Sequence, residues 1–122
     1  NLENEEKRAL LENLSEEELA VYDLLAKPPL KMTQNEILAV KKIAQDLLEK
    51  LKSEKLVLDW RKKQQARASV RLCIEEILVN LPLIYTDEIY CKKCGLVYQH
   101  IYDSYYGNDM SVYAHKSSRN EL

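Results

Sequence analysis

Cys91 and Cys94, three residues apart, with His100 six residues beyond, form the densest group of metal-binding or redox-active side chains in the sequence. A zinc site needs four converging ligands, usually with a second pair delivered after a turn. On a helix the two thiols share a side, but His100 stands about 240° further round than Cys94 at 3.6 residues per turn. Cys73 and His115 are the other soft candidates, and the chain has no second CxxC and no HxxxH. Cys94 therefore reads as a small core residue and Cys91 as a half-exposed thiol. A zinc-stabilised module on Cys91 and Cys94 is kept as the minor alternative. A thioredoxin-like role fits less well, because no strand precedes the pair.

Other reactive constellations are missing. The two glycines, Gly95 and Gly107, cannot make a GxxxxGK[ST] phosphate loop. No nucleophile–base pair can be assembled. Glu75 and Glu76 point about 100° apart on a helix, so Glu75 suits a pairing with Arg71, four positions earlier, better than acid–base work. No catalytic or cofactor-binding residue is expected.

What remains is charge and aromatic surface. Arg61, Lys62, Lys63, Arg67 and Arg71 fall within eleven residues that hold no acid. The pattern from Trp60 onward is helical, with Asp59 placed as N-cap. Val70, Ile74, Ile77, Leu78 and Leu81 share one face. Cations in a first turn oppose the helix dipole, which favours Asp or Glu there by about 0.3–1 kcal/mol per charge. Something negative is expected to face them: an acidic helix of the same chain, a partner protein or nucleic acid phosphate. The plainer reading is a solvated face paired within the fold. The chain has eight tyrosines and no phenylalanine, and five of the eight lie between residues 90 and 106. Tyrosine joins a large apolar body to a polar tip, which suits surfaces buried on assembly. Tyr102, Tyr105 and Tyr106 are the candidate interface aromatics, whereas Tyr90 and Tyr98 read as packing.

The elements that must position these residues follow from periodicity and caps. Ser15 with Glu18 and Thr33 with Glu36 are capping boxes, with Leu14–Leu19 and Met32–Ile37 as hydrophobic staples. Pro28-Pro29 stops the first capped helix. Ile37, Val40, Ala44, Leu47, Leu48 and Leu51 line one face of the second. Thr86 caps a last helix carrying Asp87 and Glu88 in its first turn, and Gly107 is its expected left-handed terminator. The prediction is an all-α compact bundle of four to five helices, at about 3–13, 16–27, 34–54, 60–80 and 87–106. Residues 1–107 would be a single helical domain and 108–122 a flexible tail, with no strand worth naming.

Composition agrees. At 122 residues with 46% apolar content, the chain can bury a real core, and two glycines with three prolines suit long helices. The net charge of −2 excludes nucleic-acid binding by bulk electrostatics. Charge is uneven, however: residues 1–20 hold seven Glu against one Lys and one Arg. No stretch approaches the roughly 18–20 apolar residues that span a bilayer, and no signal peptide is visible. Three cysteines, an odd number, suggest reduced thiols in a cytosolic protein. A start at Asn1 without Met suggests an excised piece.

The blocks LVLDWRKKQQARASVRLCIEEIL and VYQHIYDSYYG, with LSEEELAVYDLLAKP upstream, resemble the C-terminal helical domain of the restriction subunit of type I restriction-modification enzymes. The resemblance runs from about Leu14 to Ala114; Cys91 and the tail after Ala114 have no place in it. It implies a parent polypeptide with a PD-(D/E)xK nuclease domain and two helicase-like ATPase domains, using ATP and magnesium to translocate DNA in a bacterial or archaeal cytoplasm. It also implies a non-catalytic domain that docks this motor onto the methyltransferase core of modification and specificity subunits. Arg61, Lys62, Lys63, Arg67 and Arg71, with the tyrosine stripe, would carry that contact. The alternative is a non-specific DNA-backbone contact by the 61–71 basic helix.

Overall fold

Two reciprocal caps set the first half of the molecule in the computed structural model, which describes residues 13–113. Ser15 Oγ accepts from the Glu18 amide (3.1 Å) while Glu18 Oε1 accepts from the Ser15 amide (3.0 Å), and α1 runs Glu16–Ala26. Thr33 and Glu36 repeat the exchange at 3.1 and 2.8 Å, opening α2, Gln34–Lys50. Each box satisfies amides that have no partner within the helix. Helix α2 buries Val40, Ile43, Ala44, Leu47 and Leu48. Its last turn widens into a π turn, Leu51–Lys55, closed by the Leu56 amide on the Leu51 carbonyl at 2.8 Å. The wider turn keeps both Leu51 and Leu56 inward.

Helix α3, Gln64–Leu78, buries Val70, Cys73, Ile74 and Leu78. Helix α4, Asp87–Ser104, starts at Thr86, whose Oγ1 accepts from the Ile89 amide at 3.3 Å. Helix α1 packs on α2 and α4, and α3 packs on α4 and α2. One cluster of apolar side chains fills the space between them, with Val21, Leu25, Leu47, Trp60, Val70, Leu78, Val97 and Ile101 at its centre. The fold is thus all-α, as the pattern predicts, apart from one small hairpin. The expected helix at 3–13 lies outside the described residues apart from its last one, Asn13, which sits in a turn.

Three boundaries differ from expectation, each for a physical reason. Asp59 is not an N-cap: it sits in the left-handed region at φ 59° and its side chain caps nothing. Trp60–Lys62 form a 3-10 turn, Lys63 is extended, and α3 begins only at Gln64. Had one helix run through, Trp60 would lie roughly 80° from the Val70 face, ten positions on at about 100° each. The break at Lys63 re-phases the chain, so that Trp60 and Val70 both reach zero exposure. Second, α4 ends at Ser104, and Tyr105–Gly107 (β1) pair antiparallel with Met110–Ser111 (β2). Third, Asn108 and Asp109, expected to begin a tail, form the hairpin turn at φ 54° and 67°, as the favoured two-residue turns require. Gly107, at φ 103°, is not the α4 terminator: a Cβ there would collide with the Val57 carbonyl oxygen. The hairpin therefore presses directly on the 56–59 connector, and the Asn108 amide donates to the Leu56 carbonyl at 3.1 Å.

Tyr85 ties the far end of the bundle together. It is 7% exposed, and its hydroxyl donates to the Leu25 carbonyl at 2.8 Å. Burial pushes its phenol up to about 12 from the ordinary 10.0. A raised folded-state value means that the stabilisation is whole below pH 10 and lost as pH rises through 12. Two units correspond to roughly 3 kcal/mol at most. Denaturant midpoints measured from about pH 9 to 12 should fall, and Tyr85→Phe should make that fall shallower.

Candidate partner-binding surface

The five predicted cations do not form one free ridge. The Arg61 guanidinium lies 5.2 Å from the Tyr102 ring centre and 4.9 Å from that of Tyr106, and its Nη1 donates to the Tyr102 carbonyl at 3.0 Å. Arg67 Nη1 donates to the Arg61 carbonyl at 2.6 Å. Arg71 lies 4.3 Å over the Tyr98 ring. The guanidiniums are thus held by rings and carbonyls, the role for which arginine is best shaped. Lys62 and Lys63 are exposed. Among the described residues none of the five forms an ion pair with an acid.

Two described acids of the N-terminal segment are engaged elsewhere. Glu18 closes its capping box. Glu17 pairs with Lys52 at 3.0 Å and accepts from the Tyr105 hydroxyl at 2.8 Å. The uneven charge that suggests an internal pairing is therefore not resolved by these two carboxylates. At the start of α3, Lys63 occupies the cap position without a side-chain hydrogen bond, and the first turn has no acid. Arg61, Lys62 and Lys63, expected in the first turn, lie ahead of it instead, in the 3-10 turn and at the cap position.

The tyrosines divide by depth. Tyr105, a predicted interface residue, is 3% exposed and is a core residue of the domain. Burial first, then the hydrogen bond to Glu17, raise its phenol far above its ordinary value. Tyr102 is half-buried, edge-on to Trp60 with centroids 5.8 Å apart. Tyr106 is 40% exposed. Tyr98 packs edge-on to Trp60 at 6.3 Å, and the Tyr90 hydroxyl donates to the Glu75 carbonyl at 2.8 Å.

Two of the thiols, Cys91 and Cys94, lie beside Arg71 and Tyr98 of this surface. Cys91 is exposed, Cys94 half-buried and Cys73 buried. Burial pushes both Cys73 and Cys94 up, away from the thiolate form that binds metals. His100 faces Tyr113, whose hydroxyl lies 3.5 Å from its Nε2. Among the described residues no three metal-ligating side chains converge. Cys91, Cys94, Gly95, Tyr98, Arg71 and Glu75 are among the residues lining an open groove of about 580 Å³ between α3 and α4.

Sequence reasoning overlooks one residue that fixes this geometry. Lys93 is 3% exposed, and its ammonium donates to the carbonyls of Leu24 (2.7 Å) and Lys27 (2.6 Å). It satisfies the negative end of α1. Burial first, then the neighbouring charge of Lys92, bring its ammonium below the ordinary lysine value. A signal is present in the sequence: Lys93, Val97, Ile101 and Ser104 share the helical spacing of the buried face.

The candidate surface is thus built from Arg61 and Arg71 against the rings of Tyr98, Tyr102 and Tyr106. A family model for the C-terminal region of type I restriction enzyme HindI endonuclease subunit-like proteins matches residues 1–97, and the chain belongs to that family. No curated protein and no solved structure matches the chain. No helix among the described residues is long and apolar enough to cross a membrane.

Proposed function

We propose that this domain is an assembly module, docking the DNA-translocating and cleaving parts of a type I restriction subunit onto the methyltransferase core of modification and specificity subunits. On this reading the domain performs no catalysis and needs no cofactor of its own. ATP and magnesium act in the parent polypeptide, in the cytoplasm where its DNA is. The supporting observation is the pair of exposed lysines, Lys62 and Lys63, beside an uncapped helix start, with no described acid paired to them. Family membership supplies the parent enzyme class.

Capture of the purified methyltransferase core by the chain tests this. Lys62→Glu/Lys63→Glu should weaken capture about tenfold at low salt and less at about 0.5 M, because exposed charges are screened. Unaltered capture removes these cations from the contact.

The same cations beside free helix amides also support a second reading, contact with the DNA backbone, since a helix start favours phosphate. About two to four phosphate contacts would give a log–log salt slope of roughly −2 to −4 in anisotropy titrations with duplex DNA. A flat response at low salt disposes of it.

A further inference from the structure

We infer that the groove between α3 and α4 is the docking site itself, and that it takes a helix of the partner carrying an acid and a base one turn apart; this rests on the docking reading above. The walls include Arg71 and Glu75 of α3 and Tyr90, Cys91, Gly95 and Tyr98 of α4. Gly95 carries the inference. It is exposed in the middle of α4, on an ordinary helical backbone. Glycine there weakens a helix relative to alanine, because more backbone freedom is lost on ordering. Nothing inside the chain explains it, since a Cβ added at Gly95 would meet no atom within 4 Å. Gly107 is the opposite case, its Cβ position being filled by the Val57 carbonyl. The missing side chain at Gly95 therefore leaves room on the outside, over the groove, where the backbone of another molecule can come close.

Charge selects the occupant. Arg71 and Glu75 stand one turn apart on α3, a spacing at which two such side chains can pair. They do not. The Arg71 guanidinium lies over the Tyr98 ring, and among the described residues neither side chain forms an ion pair. Both line the same groove, which thus presents one cation and one anion. Stacking on Tyr98 uses the face of the guanidinium and leaves its in-plane N–H groups for a carboxylate. A groove between two helices is a seat for a third, and a helix with an acid opposite Arg71 and a base opposite Glu75 matches this pair. Arginine and tyrosine are also among the residue types that carry most binding energy at interfaces.

The test titrates the full chain against the purified methyltransferase core. It compares Gly95→Leu, which fills the groove, with Glu49→Leu, which adds the same side chain at an exposed position of α2. Gly95→Leu should bind at least about tenfold more weakly, and the control as wild type. Leucine is a better helix former than glycine, so Gly95→Leu should melt no earlier than wild type by circular dichroism. Arg71→Gln and Glu75→Gln should each weaken binding by about threefold or more. A second readout needs no variant: Cys91, exposed in the groove wall, should react several-fold more slowly with N-ethylmaleimide in the complex, read by mass spectrometry. If Gly95→Leu melts early, that protection decides. Wild-type affinity in a folded Gly95→Leu, or an unprotected Cys91 in the complex, overturns the groove and leaves the docking reading standing. Unchanged binding by both charge variants overturns the acid–base helix. A wild-type chain that does not bind the core ends both. Self-association in sedimentation velocity, abolished by Gly95→Leu, would make the occupant a second copy and overturn the partner helix.

Discussion

Trp60→Ala should destabilise the domain by about 3–5 kcal/mol, the cost typical of emptying a large aromatic site. The indole has zero exposure, meets the rings of Tyr98 and Tyr102 edge-on, and donates its N–H to the Tyr105 carbonyl. It thus joins the connector, α4 and the hairpin in one contact set. Alanine would leave a cavity and also a buried carbonyl without its donor, two penalties that add. Native domains hold only about 5–15 kcal/mol in total, so much of the margin would go. Because Trp60 is the sole tryptophan, far-ultraviolet circular dichroism in urea is the measurement. A loss under about 1 kcal/mol, well below the usual aromatic range, would show that the hairpin and connector are not coupled through this ring.

Lys93→Met should cost about 2–4 kcal/mol, which is unusual for a lysine. Methionine keeps most of the stem's bulk and removes the ammonium. The carbonyls of Leu24 and Lys27 then lose their donor at the part-buried end of α1, at about 1–3 kcal/mol for each group left unsatisfied. Lys92→Met, at the exposed neighbouring position, should stay within about 0.5 kcal/mol. Equal stability of the two variants would mean that water replaces the ammonium without cost.

The helices are legible in the sequence because their signals are local. Both capping boxes depend on residues three apart, and the inner row of α2 depends on a spacing that burial then selects. What is not legible depends on distant partners. Nothing within a few residues of Asp59 announces that Trp60 must turn toward Tyr105, so the pattern alone places the start of α3 four residues early. Lys93 lies on the buried spacing but carries a charge, and its acceptors are more than sixty residues away. Asn108-Asp109 is a turn signal of an ordinary kind, masked because the preceding aromatic run continues the helical pattern. Of the candidate surface, the cations and Tyr106 stand out from sequence. That three arginines are spent on rings and carbonyls follows from which tyrosines lie across α4, which only the fold decides.

The hairpin carries a practical consequence for defining the domain. The family match stops at residue 97, inside α4, whereas the acceptor for Trp60, the phenol that binds Glu17 and the glycine against Val57 all lie between 105 and 107. A recombinant fragment trimmed to the matched boundary would lose about two turns of helix and every one of these ties. Expression boundaries should therefore be set beyond Tyr113, and an insoluble product from a shorter clone would report on a missing clasp rather than on an unstable bundle.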